Sequence, residues 1–250
     1  MMQIQPEDPC CVGVDVGGTF TDLVLLQNGR IRTAKVLSTL SPEQGVLAAL
    51  AQAGIPGMGE ESITVTRFCH GMTVATNALL ERKGVPTLLL TTAGFRDLLW
   101  LARQHRPHLY DLSQSRPEPV VMAVEEVEER CGPAGVMKPL TAAEVERLLE
   151  RVGTWLDSGI RSVAVGFLFA FLYPDHEQAV GQALRQRFPD LPVSLSSQVA
   201  PEMREYERLS TTSIDAYLTP TLAAYLHKLA QACTEIGIPV PLIMQSSGGV

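Results

Sequence analysis

The run "CVGVDVGGTFTD" at residues 11–22 sets two carboxylates, two glycines and two threonines within a few positions of one another. Asp15 closes a Val-rich alternation that reads as a β-strand, and Gly17, Gly18, Thr19, Thr21 and Asp22 follow it. A glycine pair at a strand-to-strand turn lets backbone amides come close to a ligand and admits positive φ. Thr19 and Thr21 add hydroxyl donors at the same place. Asp15 is poorly suited to touching a phosphate but well suited to holding a hydrated Mg²⁺ that neutralises phosphate charge. The chemistry these residue types fit is phosphate binding by Gly17, Gly18, Thr19, Thr21 and Asp22, with Asp15 and Thr19 nearest the reaction. The loop lies within a hairpin and lacks the Lys of a Walker A motif.

Three further groups carry chemical potential. His70, Thr73, Thr76 and Asn77 stand where a strand meets a helix N-terminus, a natural anion or substrate position. Read structurally, Thr73 or Thr76 caps that helix and Asn77 is an exposed helical residue. Arg96, Arg103, Gln104, Arg106 and Tyr110 fall in "GFRDLLWLARQHRPHLYDL", where clustered guanidinium groups could clamp a carboxylate or phosphate, or else lie solvated at the surface. The charged run Glu202–Arg208 reads mostly as a solvated helix face, with Glu202 and Arg204 the foremost candidates for lining a cleft. No His/Cys/Glu cluster has structural-zinc spacing, and no Ser-His-Asp order stands out.

The elements that must position these residues can be read from pattern. Residues 11–16 and 22–27 are strand-like, Asn28-Gly29 is a strong hairpin signal, and "RIRTAKV" returns as a third strand. Ser41-Pro42-Glu43 opens a helix that Gly54 closes. Strand and helix then alternate: strand 63–70, a helix ending at Gly84, strand 86–92, a helical reading for 94–103, and an irregular polar stretch over 103–119. A helix over 141–159, a buried strand beginning at Arg161 and a helix from Asp175 follow. Beyond "LPVSLSSQ" (191–198) comes a long helical region interrupted by Pro220, then "PLIMQSSGGV". The class is α/β, with all strands expected in one mixed sheet. A strand and Gly-Gly turn at the end suggest the N-terminal part of a longer protein.

With 250 residues, 19% charged and a formal net charge of −7, the composition is globular and argues against a broad nucleic-acid footprint. Five cysteines, an odd number without a CxxC pair, fit reduced thiols better than a disulfide framework. The polar N-terminus is not a secretory signal, and the longest apolar stretch is too short to span a bilayer, so a cytoplasmic location is expected and no membrane partner.

The stretch "GVDVGGTFTDLVLL" resembles the phosphate-1 loop of the superfamily of sugar and acetate kinases, heat-shock ATPases and actin. Its TFTD ending is similar to the hydantoinase A and 5-oxoprolinase family. The rest of the chain resembles that family in order: "HGMTVATNALLERKG" (70–84), "TTAGFRDLLWLARQHRPHLYDL" (91–112), "VEER" (127–130), "PEMREYERLSTTSIDAYLTP" (201–220) and "MQSSGG" (244–249). The resemblance implies a ribonuclease H-like, actin-like ATPase lobe whose mixed sheet opens with an antiparallel β-meander. Its implied parts are an N-terminal tail (1–10), an ATPase lobe (11–195) and the start of a second region (196–250).

Such proteins use ATP with Mg²⁺, and K⁺ in some cases, to activate a cyclic amide by phosphorylation before water opens the ring. Others are ATP-binding subunits of acetone- or acetophenone-type carboxylases, and a sugar-kinase-like phosphotransferase shares the first loop alone. Positioning and charge stabilisation carry such transfer. The implied partners are a small cyclic amide, the second lobe of the same polypeptide with its own phosphate loop, and a hydantoinase B-type subunit. Without that second loop, this segment alone is expected to hydrolyse little ATP. The family motifs turn Arg103 and Arg106 toward a substrate role beside His70, Thr73, Thr76, Asn77, Glu202 and Arg204. Met72 stands where the family has a Thr, and Asp215 and Ser247 where it commonly has Asn.

Overall fold

A computed structural model describes residues 10–39, 41–55, 63–104, 117–245 and 249. The chain forms two compact units, 1–81 with 221–250, and 82–220.

The first unit opens with β1 (Cys10–Val16), β2 (Phe20–Gln27) and β3 (Arg30–Leu37), an antiparallel meander whose second turn has Asn28 at φ 52° and Gly29 at φ 68°. Positive φ at both central residues is what a two-residue turn matching strand twist requires, and Asn-Gly supplies it cheaply. Helix α1 (Pro42–Gln52) follows with proline at its start, then β4 (Val65–Met72), parallel to β1, and the short α2 (Val74–Leu80).

The second unit holds β5 (Thr87–Thr92), α3 (Leu98–Leu101), β6 (Ala123–Val127), the β7 (Arg130–Gly132) and β8 (Gly135–Lys138) ribbon, and α4 (Ala142–Asp157). Then come β9 (Ser162–Gly166), α5 (Asp175–Arg187), β10 (Val193–Leu195), α6 (Ser196–Val199) and α7 (Glu205–Glu235). Helix α7 begins in the second unit and enters the first after Pro220, and β11 (Leu242–Ile243) pairs with β4.

The strands form a five-stranded mixed sheet in the order β11-β4-β1-β2-β3 and a separate parallel sheet in the order β10-β9-β5-β6. The expectation of one continuous mixed sheet is corrected: β5 pairs with β6 and β9, not with the first sheet. The two sheets have different burial. All six residues of β5 and all five of β9 are buried, as parallel strands covered on both faces require, whereas β2 alternates strictly between exposed and buried positions. The helix expected over 94–103 shrinks to the four residues of α3, because Ala102 (φ 47°) and Gln104 (φ 56°) turn out of helical conformation. The helical region around Pro220 is instead continuous. Proline has no N–H for the carbonyl four residues earlier, and the neighbouring carbonyl of Tyr217 accepts from the Val85 amide at 2.9 Å. Beyond Pro220, Tyr225 and Leu229 of α7 pack into the core of the first unit, and β11 pairs with β4.

Each unit has its own core. In the first, Val12, Val14, Leu23, Leu25 and Phe68 pack with Val46 and Leu50 of α1 and with Tyr225 and Leu229 of α7. In the second, Leu88, Leu90, Val163 and Val165 pack with Leu148 and Val152 of α4 and Val180 and Leu184 of α5. Among the described residues no helix is long and apolar enough to cross a membrane.

Candidate functional site

The β1–β2 pairing sets Asp15 directly opposite Asp22, and the β2–β3 pairing sets Asp22 opposite Lys35. All three side chains share the exposed face of the sheet. Lys35 Nζ lies 2.6 Å from Asp22 Oδ1 and offsets one of the two like charges. Asp15 has no hydrogen bond or ion pair among the described residues, and beside it a Cβ at Gly71 would come within 3.1 Å of its Oδ1. Glycine at 71 is what leaves this carboxylate room.

The turn after Asp15 is braced from three sides. The Gly17 amide donates to the Phe20 carbonyl at 3.0 Å and closes it. Ser38 donates its amide to the Thr19 carbonyl (2.9 Å) and its hydroxyl to the Gly17 carbonyl (2.8 Å). From α2, the Thr73 amide and hydroxyl both donate to the Val16 carbonyl, at 3.0 and 3.1 Å, and Asn77 Nδ2 donates to Thr73 Oγ1 at 3.3 Å. A Cβ at Gly18 would meet Asn77 Nδ2 at 3.3 Å, so the turn and α2 lie in close contact there. Gly18 and Thr19 are exposed, leaving backbone amide and hydroxyl open to a ligand.

The predicted residues therefore divide. Asp15, Gly17, Gly18, Thr19, Asp22, Thr73 and Asn77 are brought together around one turn, with Thr76 exposed on the same short helix. Thr21 is fully buried, its hydroxyl 3.3 Å from that of Ser38 and packed against Gly45. His70 is also fully buried: Nδ1 lies 3.2 Å from the Val14 carbonyl and Nε2 2.6 Å from the Tyr225 hydroxyl. Both act on the site through the strands they hold. Ser38, which carries much of the turn, was missed. Its only sequence signal is its place just past the third strand.

In the second unit the parallel sheet supplies a different kind of site. From β5 the chain moves to β6 on one side, and from β9 to β10 on the other, so the order reverses between β5 and β9. Ligands of open parallel sheets bind beyond the strand C-termini at such a point. There the Leu168 amide donates to Thr92 Oγ1 at 3.1 Å, joining the two loops. A cavity of about 770 Å³ lies in this unit, lined by Gly94, Phe95, Leu98, Arg103, Arg204 and Glu205 among others. Arg103 is ion-paired with Glu207, whose carboxyl is held below its usual range by its own backbone amide and by that guanidinium. Arg204 sits at φ 85°, and its carbonyl accepts from the Arg208 amide at 3.1 Å. Glu202 is exposed, and its carbonyl accepts from Arg208. Arg106, like Tyr110 and Ser247, lies outside the described residues.

Two polar networks in this unit went unseen in the sequence. Arg208 is buried and donates to the Ser196 hydroxyl (3.1 Å) and to the carbonyls of Glu202 (3.0 Å) and Phe167 (2.8 Å). Glu177, also buried, accepts from the Phe167 and Ser197 amides (2.8 Å each) and the Ser196 hydroxyl (2.6 Å); its burial pushes the carboxyl up, against those bonds. Glu129, Cys131 and His176 bring oxygen, sulfur and nitrogen atoms within 4.8 Å of one another, the trio that spacing alone did not reveal. The His176 ring is already satisfied: Nδ1 faces Glu129 Oε2 at 2.7 Å and Nε2 accepts from the Leu140 amide at 3.3 Å.

Residues 11–188 match the family model described as the hydantoinase/oxoprolinase N-terminal region. The chain belongs to that family. Among the relatives of this hydantoinase/oxoprolinase chain, 5-oxoprolinase 1 of Arabidopsis thaliana is 34% identical over 272 residues, covering 95% of this chain and 21% of that protein. Caprolactamase subunit alpha of Pseudomonas jessenii is 31% identical over 255 residues, covering 96% and 36%. The crystal structure of ATP-dependent caprolactamase from the same organism superposes with a TM-score of 0.81 at 30% identity, over 96% of this chain and 36% of that one. The acetophenone carboxylase gamma subunit of Aromatoleum aromaticum is 32% identical over 227 residues, 83% of this chain and 31% of that protein. The fold is of the actin-like ATPase type. The chain spans about a fifth to a third of the length of these relatives.

Proposed function

We propose that the chain is the phosphate-binding part of an ATP-dependent cyclic-amide hydrolase. The observation that carries the reading is the row Asp15–Asp22–Lys35 set across three strands beside the Gly17–Gly18 turn. Two opposed carboxylates with one ammonium leave a net negative charge of hard oxygen donors, the chemistry that suits Mg²⁺. Asp15 would hold that ion through water, and the ion supplies charge neutralisation of the phosphates. The Gly18 and Thr19 amides and the Thr19 hydroxyl cradle the transferring phosphate, while the Gly17 amide closes the turn on the Phe20 carbonyl and Thr73 and Asn77 hold it in place. Transfer of the γ-phosphoryl group to the amide oxygen, with ADP leaving, makes that oxygen a leaving group. Water then attacks the carbonyl carbon, the C–N bond breaks with the ring nitrogen leaving as the amine, and a second water hydrolyses the acyl phosphate that remains to carboxylate and phosphate. A partner subunit completes the enzyme, a reading that the subunit names of two relatives support.

The test is Asp15→Asn in the full-length protein. Asn keeps the size but not the charge. Metal-centred stabilisation is worth several kcal/mol and each 1.36 kcal/mol is tenfold in rate, so ATP-coupled ring opening should fall at least about a hundredfold. Melting should be unchanged. Thr19→Ala should cost less, because neighbouring amides remain. Near-native rates for Asp15→Asn at limiting Mg²⁺ refute the reading. A second reading, the ATP-binding subunit of a ketone carboxylase, is favoured by the gamma-subunit relative. It predicts ADP formation that depends on bicarbonate and a ketone rather than on a lactam.

A further inference from the structure

Three carbonyls of the turn after Asp15 are taken by the protein itself. Thr73 takes that of Val16, and Ser38 takes those of Gly17 and Thr19, the first with its hydroxyl at 2.8 Å and the second with its amide at 2.9 Å. A peptide unit is planar and trans, so its N–H points away from its own carbonyl. Fixing the Gly17 carbonyl on Ser38 therefore turns the Gly18 N–H toward the opposite, open side. Without that bond the Gly17–Gly18 unit is free to turn over, because the rotation changes ψ of Gly17 and φ of Gly18, and glycine accepts the positive φ of the reversed form. Neither glycine has a positive φ in the structure. The reversed unit would present a carbonyl oxygen where the amide now stands, and would repel an anion.

Ser38 is held in turn by Thr21. Its Oγ lies 3.3 Å from Thr21 Oγ1, and since the Ser38 proton goes to the Gly17 carbonyl, the Thr21 hydroxyl is the donor of the pair. Thr21 is fully buried, and a Cβ at Gly45 of α1 would stand 3.0 Å from its Oγ1, so the helix packs directly on this hydroxyl. On the phosphate-binding reading above, we infer that Ser38, with Thr21 behind it, is the positioning residue that sets which way the Gly17–Gly18 peptide faces. It thereby makes the turn a receptor for phosphate. The two hydroxyls form a short chain, Thr21 to Ser38 to the Gly17 carbonyl, in which each bond polarises the next. Ser38 acts on a ligand through the Gly18 amide, since its own hydroxyl faces the carbonyl side of that peptide.

Calorimetric titration of the full-length protein with Mg-ATP, and competition by adenosine, test the role in Ser38→Ala, Ser38→Thr, Thr21→Val and Asp15→Asn. Ser38→Ala keeps the amide bond to Thr19 and loses only the hydroxyl. Mg-ATP should bind it about tenfold more weakly, the loss expected for one charge-assisted hydrogen bond, while adenosine binds as to wild type. Ser38→Thr keeps the hydroxyl and should stay within about threefold of wild type. Thr21→Val should weaken Mg-ATP about threefold alone and add nothing to Ser38→Ala. Equal weakening of Mg-ATP and adenosine would mean a general loosening of the fold and overturns the inference. Should Ser38→Ala fail to fold, Thr21→Val decides by the same comparison, and an unchanged Mg-ATP affinity there overturns it. An unchanged affinity in Ser38→Ala overturns it too; if Asp15→Asn is weakened all the same, the phosphate reading of the turn survives and only the Ser38 role falls. A wild-type protein that binds no Mg-ATP refutes that reading, and this inference with it.

Discussion

The buried contact of His70 with Tyr225 makes the first unit acid-sensitive, and the size of the effect can be worked out. Nε2 accepts from the Tyr225 hydroxyl at 2.6 Å, and Nδ1–H donates to the Val14 carbonyl at 3.2 Å. The neutral ring therefore takes the one tautomer that satisfies both partners. Burial pushes its pKa below 6.5, with the Val14 bond and the Asp15 charge opposing in part. A folded-state pKa depressed below the unfolded value gives stability that is present above pH 6.5 and lost as pH falls, because only the unfolded chain then gains the proton. If the ring stays neutral in the fold, moving from pH 7.5 to 5.5 removes at most about 1.4 kcal/mol. Denaturation of the protein in urea at the two pH values, with hydrogen exchange of the β1 and β4 amides to isolate this unit, measures the loss. His70→Gln retains an acceptor for Tyr225 but cannot titrate, so the difference between wild type and variant cancels every other histidine. Wild type should lose about 1 kcal/mol more than the variant over that range. Equal losses would mean that His70 titrates normally and that the neutral ring is not what ties β1, β4 and α7 together.

Two further outcomes follow from close packing in the second unit. A Cβ at Gly84 would lie 2.3 Å from Cδ1 and Cε1 of the buried Tyr217 ring, so Gly84→Ala should lower stability by about 3 kcal/mol, read as a fall in the urea midpoint at constant slope. An unchanged midpoint would show that Tyr217 has another rotamer at no cost. Arg208→Met removes the donors of the Phe167 and Glu202 carbonyls and of the Ser196 hydroxyl, and should cost about 3 kcal/mol or more; a loss under about 1 kcal/mol would show that water replaces the guanidinium.

What could be read from the sequence was local. The alternation in β1, the Asn28-Gly29 turn and the Ser41-Pro42 helix start each depend on a few adjacent residues, and each forms where expected. What could not be read depends on residues far apart. Arg208 sits in a run that reads as a solvated face, yet it is buried because the Phe167 carbonyl, 41 residues earlier, takes its Nη2. Ser38 braces Gly17 across 21 residues. Helical periodicity carries no sign that α7 leaves one unit and enters the other, or that β11 returns to β4. The separation of β5 from the first sheet is hidden for the same reason, since a buried parallel strand looks alike in either sheet.

The same contrast explains why the residues proposed to bind phosphate stood out. Their types are anomalous for the elements that carry them: an acid ending an apolar strand, a glycine pair at a turn, a second acid opening the next strand. Strand pairing converts that anomaly into an electrostatic cost, because Asp15 and Asp22 are directly opposite each other and like charges there repel. Lys35 relieves only one of them, at 2.6 Å from Asp22. The cost that remains falls on Asp15, which is exposed and faces Gly71 where any side chain would crowd it. A cation beside Asp15 removes the repulsion without disturbing the Asp22–Lys35 pair. On the proposed reading Asp15 rather than Asp22 is therefore the residue to hold the ion, and the charge-removing variant at Asp15 tests it.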